Sequence, residues 1–429
     1  MEPEGNLSNY GTHFIVGFMP NSRHDAYIGV SILAFNETNI TIFSTQTGNP
    51  WNFSVHIDKE GVFEYKLPIA LRMNNWAFLQ KGIEISSSRN ISVSCLNFGG
   101  NNNFGTDGKL ALPINTLCFV YVVASYPSCT SASLAVISAH NNNTINVFPN
   151  KNAVLHYRGL LYDGKSSQLY ITEVLEKLDA LYISSSSDLS GTLVIASKPV
   201  SVISSVSCAD IFGWNSFLEA TLLPVSLWGY EYILATVGTM DKSQGDIFRI
   251  FAYKNNTIVE GSHWTKVLSL GTYTELILGN SLTSYVKCSN PCQVVQYIRG
   301  EEISGIDAEP SIMVLPSVGQ FLSYYHVALP RFGTEYHDSI TILIQHKNID
   351  GLYMNRTKLN NSRWERINGT NYVWTVISLW DQSTVTVYHA SSSVKFGLLV
   401  FGWNKYHSYA YAGGFNLYDK SNGMISLLV

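Results

Sequence analysis

The stretch Leu134-Ala-Val-Ile-Ser138 leads through Asn141-Asn-Asn143 into Thr144-Ile-Asn-Val-Phe148. Two short runs rich in β-branched residues, joined by asparagines that tolerate positive φ, read as two strands and a turn. The pattern returns three times. Ser31-Ile-Leu-Ala-Phe35 leads through Asn36-Glu-Thr-Asn39 into Ile40-Thr-Ile-Phe43, and Phe248-Arg-Ile-Phe-Ala-Tyr253 through Asn255-Asn256 into Thr257-Ile-Val259. Ile340-Thr-Ile-Leu-Ile344 leads through Asn348 towards Leu352-Tyr-Met354. Each is expected to be a β-hairpin.

The steps between Asn39, Asn143, Asn256 and Asn348 are 104, 113 and 92 residues. A second marker keeps the same spacing: Leu112-Pro113, Leu223-Pro224 and Leu315-Pro316 each precede an aromatic strand. A period of about 100 residues is too long for a solenoid repeat and fits a module of seven or eight strands. Each module has a second half, such as Gly191-Thr-Leu-Val-Ile-Ala196, a Lys198-Pro199 break, then Val200-Ser-Val-Ile-Ser204. The only helix-like stretch is Thr172-Glu-Val-Leu-Glu-Lys-Leu-Asp179. The chain therefore reads as all-β, a tandem array of about four sandwich-like modules: 12–117, 118–227, 228–318 and 319–417, with tails 1–11 and 418–429. An eight-bladed β-propeller is the alternative. It is disfavoured because the two halves of each module do not resemble each other.

Composition narrows the function. Hydrophobic residues make up 46% and charged residues 14%, enough apolar surface to exclude disorder. With 27 basic and 31 acidic residues and no basic run, nucleic acid is not an expected partner. The longest apolar runs, Leu117 to Ala124 and Phe396 to Trp403, have strand length, so no membrane span is expected. The opening Met1-Glu-Pro-Glu-Gly-Asn-Leu7 is not a secretory signal, so either a signal lies upstream or the protein stays inside the cell.

Six cysteines are present. Cys288-Ser-Asn-Pro-Cys292 lies at a turn that can bring its ends into disulfide range, and these two are expected to be bonded. Cys95, Cys118, Cys129 and Cys208 have no sequence-local partner. Ten Asn-x-Ser/Thr sequons occur. Those at the turns, Asn36, Asn39, Asn142 and Asn255, together with Asn355, are candidate glycosylation sites, which requires them to be exposed.

Asp188-Leu-Ser-Gly-Thr-Leu-Val-Ile-Ala-Ser-Lys-Pro-Val-Ser-Val-Ile-Ser204, then Ser207-Cys-Ala209 and Leu218-Glu-Ala-Thr-Leu-Leu-Pro-Val-Ser-Leu-Trp-Gly229, is similar to a signature of the IgGFc-binding protein N-terminal family. The opening Phe14-Ile-Val-Gly-Phe-Met-Pro-Asn21 and the closing Phe396-Gly-Leu-Leu-Val-Phe-Gly-Trp403 with Tyr409-Ala-Tyr-Ala-Gly-Gly414 resemble the family's ends, so the resemblance runs over roughly residues 12–417. It implies a secreted, often mucus- or surface-associated protein. Family members often carry a second cysteine where this chain has Trp214-Asn-Ser-Phe217. If the family pairs those cysteines, Cys208 bonds elsewhere, with Cys95 as one option, or stays free.

No nucleophile elbow, zinc-binding helix, Walker loop or dinucleotide loop is present, and no cofactor is implied. Glu301, Glu302, Asp307 and Glu309 could form a carboxylate pair or a Ca²⁺ site, but read more simply as a solvated loop. The loop from Asn101 to Asp107 reads likewise as a flexible turn. Aromatic residues reach 13%, and in Trp403-Asn-Lys-Tyr-His-Ser-Tyr-Ala-Tyr411 a period of two puts Trp403, Tyr409 and Tyr411 on one face. That face is either a ligand-binding strip or part of the core. The expected function is a non-catalytic extracellular binding or matrix module for a protein or glycan ligand. The alternative is a glycan-acting enzyme on a β scaffold.

Overall fold

A computed structural model describes residues 8–21, 26–45, 50–74, 78–100, 105–166, 169–238, 245–279, 283–303, 306–360 and 362–417. Strands dominate throughout, and the helical elements are 3₁₀ turns of three to six residues. The all-β, multi-module reading holds.

Each module is built around one long strand with a kink in it. In the first module this strand is Ile83–Phe98. Its first half pairs with Gly11–Val16 on one side and with Thr38–Ser44 on the other. Its second half pairs with Tyr27–Ala34 and Asp107–Leu110. The two halves thus belong to two sheets, and side chains from both enter one core: Phe14, Ile28, Ile32, Ile42, Ile85 and Val93. Leu193–Ile211 and Ser284–Ile298 play the same part in the second and third modules. In the fourth the strand is broken into Thr384–His389 and Gly397–Asn404. The halves share a strand and a core, which separate propeller blades do not, so the modules are two-sheet sandwiches.

Three local readings are corrected. The Asn-rich turns are not hairpins. Ala132–Ser138 and Asn143–Phe148 do not pair with each other; each pairs with a different half of Leu193–Ile211, so Asn141 to Asn143 arches from one sheet to the other. Turn chemistry is the same for a hairpin and an arch, because pairing is decided by distant strands. Lys198-Pro199 does not end a strand but sits at a bulge within one, where a missing N–H breaks no ladder bond. Thr172 to Leu175 lies in the strand Ile171–Leu175 rather than a helix.

The four modules close into a ring. The last strand of each, Asp107–Leu110, Trp214–Thr221, Ser311–Val314 and His407–Ala412, packs against the last strands of its two neighbours. A cavity between them is lined by equivalent segments of all four strands, Gly108 to Leu110, Ala220 and Thr221, Ile312 to Val314 and Ala410 to Ala412, so the strands run side by side along a shared axis. The seams are head-to-tail. Gly82 N–H bonds Leu178 O at 3.0 Å between the first and second modules, and the equivalent Gly191 abuts Gly271 between the second and third. A head-to-tail contact that closes makes a ring in which equivalent points share one height along the axis. The described chain ends complete it: Asn9 N–H bonds Phe415 O at 3.3 Å, and Phe415 N–H bonds the Asn9 side chain at 3.0 Å.

Candidate functional site

Aligning the kinked strands by their partners makes Gly108, Glu219, Ile312 and Ala410 equivalent, one from each module. The backbone N–H groups of all four point at one side chain, the carboxylate of Asp107. Gly108 donates at 2.9 Å, and Glu219 and Ile312 at 3.1 Å. Ala410 also donates to it. Burial pushes this carboxyl well above the usual carboxylate range, and the Ile312, Gly108 and Ala410 donors and the nearby Lys109 charge act against that. An acceptor on the axis satisfies four buried donors that four converging strand edges would otherwise leave unpaired.

One layer further along are the equivalent residues Gly105, Ser216, Glu309 and His407. The Glu309 carboxylate accepts from Gly105 N–H at 3.0 Å and from the Ser216 hydroxyl at 2.9 Å. His407 meets the Thr106 hydroxyl at 2.9 Å, and burial lowers its pKa to about 4. Beside the axis, the Lys109 ammonium is paired with Glu219 and donates to Gly17 O at 2.9 Å. Burial lowers the Lys109 pKa to about 8, with the charges at Cys95 and Asp107 opposing. Between the second and third modules, buried Arg249 bonds Asp188 at 2.8 Å and Ser125 O at 2.8 Å. Its guanidinium lies over the rings of Tyr126, Tyr273 and Tyr297.

The polar chemistry of this chain is therefore concentrated at its seams. Asp107, assigned above to a flexible turn, is a buried strand residue. Three residues of the family-like signature, Asp188, Gly191 and Glu219, are seam residues too. The signal available in the sequence was charge next to or inside a strand-like run, an opposite pair at Asp107-Gly-Lys109 and a lone carboxylate at Leu218-Glu-Ala220.

The residues proposed from sequence fall as follows. Trp403, Tyr409 and Tyr411 do not form a surface strip: they are 9%, 0% and 3% exposed. The stretch is a hairpin whose turn at Lys405-Tyr406 interrupts the period of two, and the Tyr409 and Tyr411 hydroxyls are used on Asp338 and Ala328 O. Cys288 and Cys292 are joined by a disulfide with Cα atoms 6.3 Å apart. Cys208 is bonded to Cys129, not to Cys95, because the bridge Ser128 to Ala209 brings those two together at 5.4 Å between Cα atoms. Cys95 is a buried free thiol and Cys118 a half-buried one. Asn39, Asn142, Asn255 and Asn355 are exposed, and Asn36 is half-buried. The side chains of Glu301, Glu302 and Asp307 lie outside the described residues; Glu309 is buried at the axis. Among the described residues no group of three or more His, Cys, Asp or Glu is placed to hold a metal ion, and no helix is long and apolar enough to cross a membrane.

The surface holds exposed apolar residues instead. Leu160 and Leu161 lie on an edge strand of the second module, Ile258 and Val267 are paired on the third, and Trp380 is 72% exposed on the fourth. In the first module Trp51, Phe53, Phe63 and Tyr65 form a half-buried stack across the open edge of the sandwich, with centroids 4.3–6.3 Å apart.

Comparison with known proteins gives these features a family. The human "IgGFc-binding protein" is 26% identical over 424 residues, covering 96% of this chain, and the chain spans 8% of that relative's length. A solved structure titled "Crystal structure of tetra-tandem repeat in extending region of large adhesion protein" aligns with 89% of this chain and 91% of that one at 10% identity. Its TM-score of 0.10 is too low to bear on the fold. The sequence model described as "IgGFc binding protein" matches residues 107–402, more than half of the chain and including Asp107, Asp188, Glu219 and Arg249. This chain belongs to the IgGFc binding protein family.

Proposed function

We propose that the chain is a non-catalytic extracellular binding module, in which a rigid ring of four β-sandwiches holds out loops and sheet faces for a protein or glycan ligand. The carrying observation is the match, over most of the chain, to a family described by binding rather than by a reaction. The seams support it, because their ionisable groups are engaged with one another and hold the scaffold still. Cys129–Cys208 and Cys288–Cys292 suit an oxidising compartment, and free thiols at Cys288 and Cys292 in material from outside cells would count against secretion. Residues 12–117, 118–227, 228–318 and 319–417 are the units of the ring in this reading, and association with mucus or a matrix is its natural setting.

The test is direct. The purified chain is presented to the Fc part of IgG, the ligand in the human relative's name, and to an array of mucin-type glycans. Reducing-end release is measured in the same incubations. Saturable binding to either without release is the expected result. Release of sugar by the folded chain would transfer the assignment to a glycan-acting enzyme.

A further inference from the structure

We propose that Asn142 and Asn255, in their arches, and Asn39, in the strand just past the first arch, carry N-linked glycans, and that the ring gathers them at one end of its axis while the other end stays free of sugar. The proposal rests on the extracellular reading above, since attachment needs the secretory pathway.

The first argument is acceptor geometry. A glycan is attached to the side-chain amide nitrogen, which must face out of the folded protein. The Asn39 carbonyl oxygen accepts from His56 Nδ1 at 3.0 Å, and that of Asn255 accepts from Leu270 N–H at 2.9 Å. In both exposed residues it is the oxygen that these bonds hold to the protein, not Nδ2, the atom that is modified. Asn142 is exposed at the top of its arch with φ 53°. Asn36 and Asn90 are half-buried and are not part of the set.

The second argument is position. The arches follow Ala34, Ser138 and Ala252, equivalent points in three modules, so a head-to-tail ring places them at one height. Ala34 pairs with Ile91, where the second half of the long strand begins at the kink, whereas the other end of that half, Phe98, pairs with Tyr27 and heads towards Asp107. The arches and the loops that precede the last strands therefore lie at opposite ends of strands that run along the axis. The described residues of the loops at the second end, 99–100, 105–106, 212–213, 299–303, 306–310 and 405–406, include none of the ten sequon asparagines. Sugar at the arch end would leave this end as the side open to a macromolecular ligand. Phe212, which is 43% exposed, stands there with the Arg299 guanidinium over its ring.

The experiment supplies its own signal peptide, so that failure concerns these acceptors and not the natural compartment. The chain is secreted from cultured animal cells and treated with peptide-N-glycosidase in heavy-oxygen water, and occupied sites are mapped by mass. Asn39, Asn142 and Asn255 are expected to be occupied, and an empty site among the three overturns the proposal. A variant keeping only these sequons, the others changed Asn→Gln and its melting checked against the parent, is then imaged with a mannose-binding lectin. Lectin should sit on one side of the ring. Adding Gly213→Asn with Asn215→Thr creates an acceptor in a loop at the other end. Gly213 has φ 87°, a left-handed conformation that strains every side chain, Asn less than most, and nothing lies within 4 Å of an added Cβ; the variant's melting is checked against the parent as well. This variant should be labelled on both sides. Label on both sides before the addition, or on the same side after it, overturns the sidedness.

Discussion

The first and third modules solve the same corner in different ways. In the third, the Tyr232 hydroxyl accepts from Gly229 N–H at 3.2 Å and donates to Cys292 O at 2.5 Å, and the Cys288–Cys292 disulfide spans the kink beside it. The second and fourth modules repeat the hydroxyl bridge with Tyr121, on Cys118 N–H and Val200 O, and Tyr325, on Leu322 N–H and Phe396 O. The first module has Phe14 at this position and no disulfide across its kink at Ser88 to Asn90. It also has an inner core of its own, while its other face, with Ile15, Leu33, Leu96 and Leu110, joins the continuous core of the other three. Yet it supplies Asp107 and Lys109, two of the side chains that tie the axis together. The third module is stapled within itself, whereas the first is held by what it gives to its neighbours.

The largest effect should come from cutting that outward tie. Asp107→Ala leaves four buried backbone donors without their acceptor. The expected loss is about 3–5 kcal/mol, the scale for breaking a buried charged network. Asp107→Asn keeps one acceptor oxygen and should lose less. Urea unfolding of both variants measures this. If Asp107→Ala is as stable as the parent, the axis is not where the modules are joined.

His407 ties the first module to the fourth, and its effect depends on pH. Its folded pKa of about 4 lies below the unfolded value of about 6.5, so its contribution is complete above pH 6.5 and lost as pH falls towards 4. Between pH 7 and pH 5 the chain should lose about 2 kcal/mol from this group. His407→Gln should flatten that part of the stability profile. An unchanged slope would mean that the ring opens at this seam before His407 is protonated.

The inward staple of the third module is worth less. Changing Cys288 and Cys292 together to Ala removes closure of a short loop, for which the expected loss is about 2 kcal/mol. The loss should be absent when parent and variant are compared under reducing conditions.

Much of this fold was legible in the sequence. The Leu-Pro markers and Asn turns gave the period and the module count, because strand and turn chemistry are local. What was not legible was how distant strands meet. Asn141 to Asn143 has the same composition in a hairpin as in an arch, and only the partner strand Leu193–Ile211 makes it an arch. Trp403, Tyr409 and Tyr411 could have formed a surface strip or a core face, because a strand covered on both sides has no polar face to mark its orientation. Asp107 was read as a loop residue because a strand edge that meets three other modules looks, in sequence, like the end of a turn.

The smallest prediction sharpens the comparison most. The Phe14 ring sits where Tyr232 sits in the third module: its Cζ is 3.8 Å from the Cβ position of Gly11, and the Tyr232 hydroxyl is 3.7 Å from that of Gly229. The facing residues correspond as well, since Gly11 pairs with Ile91 as Gly229 pairs with Cys292. Phe14→Tyr would place a hydroxyl between Gly11 N–H and Ile91 O and should stabilise the chain by about 1 kcal/mol. Tyr232→Phe should cost about as much, or somewhat more, because it leaves Gly229 N–H and Cys292 O without their bridge. The risk at Phe14 is crowding: Pro113 Cβ lies 2.6 Å from the Cβ position of Gly11, and overpacking costs about 1–3 kcal/mol. Gain from Phe14→Tyr with loss from Tyr232→Phe would make the corners equivalent, the first simply lacking its hydroxyl. Loss from both would mean that Pro113 has reshaped the first corner around a phenylalanine.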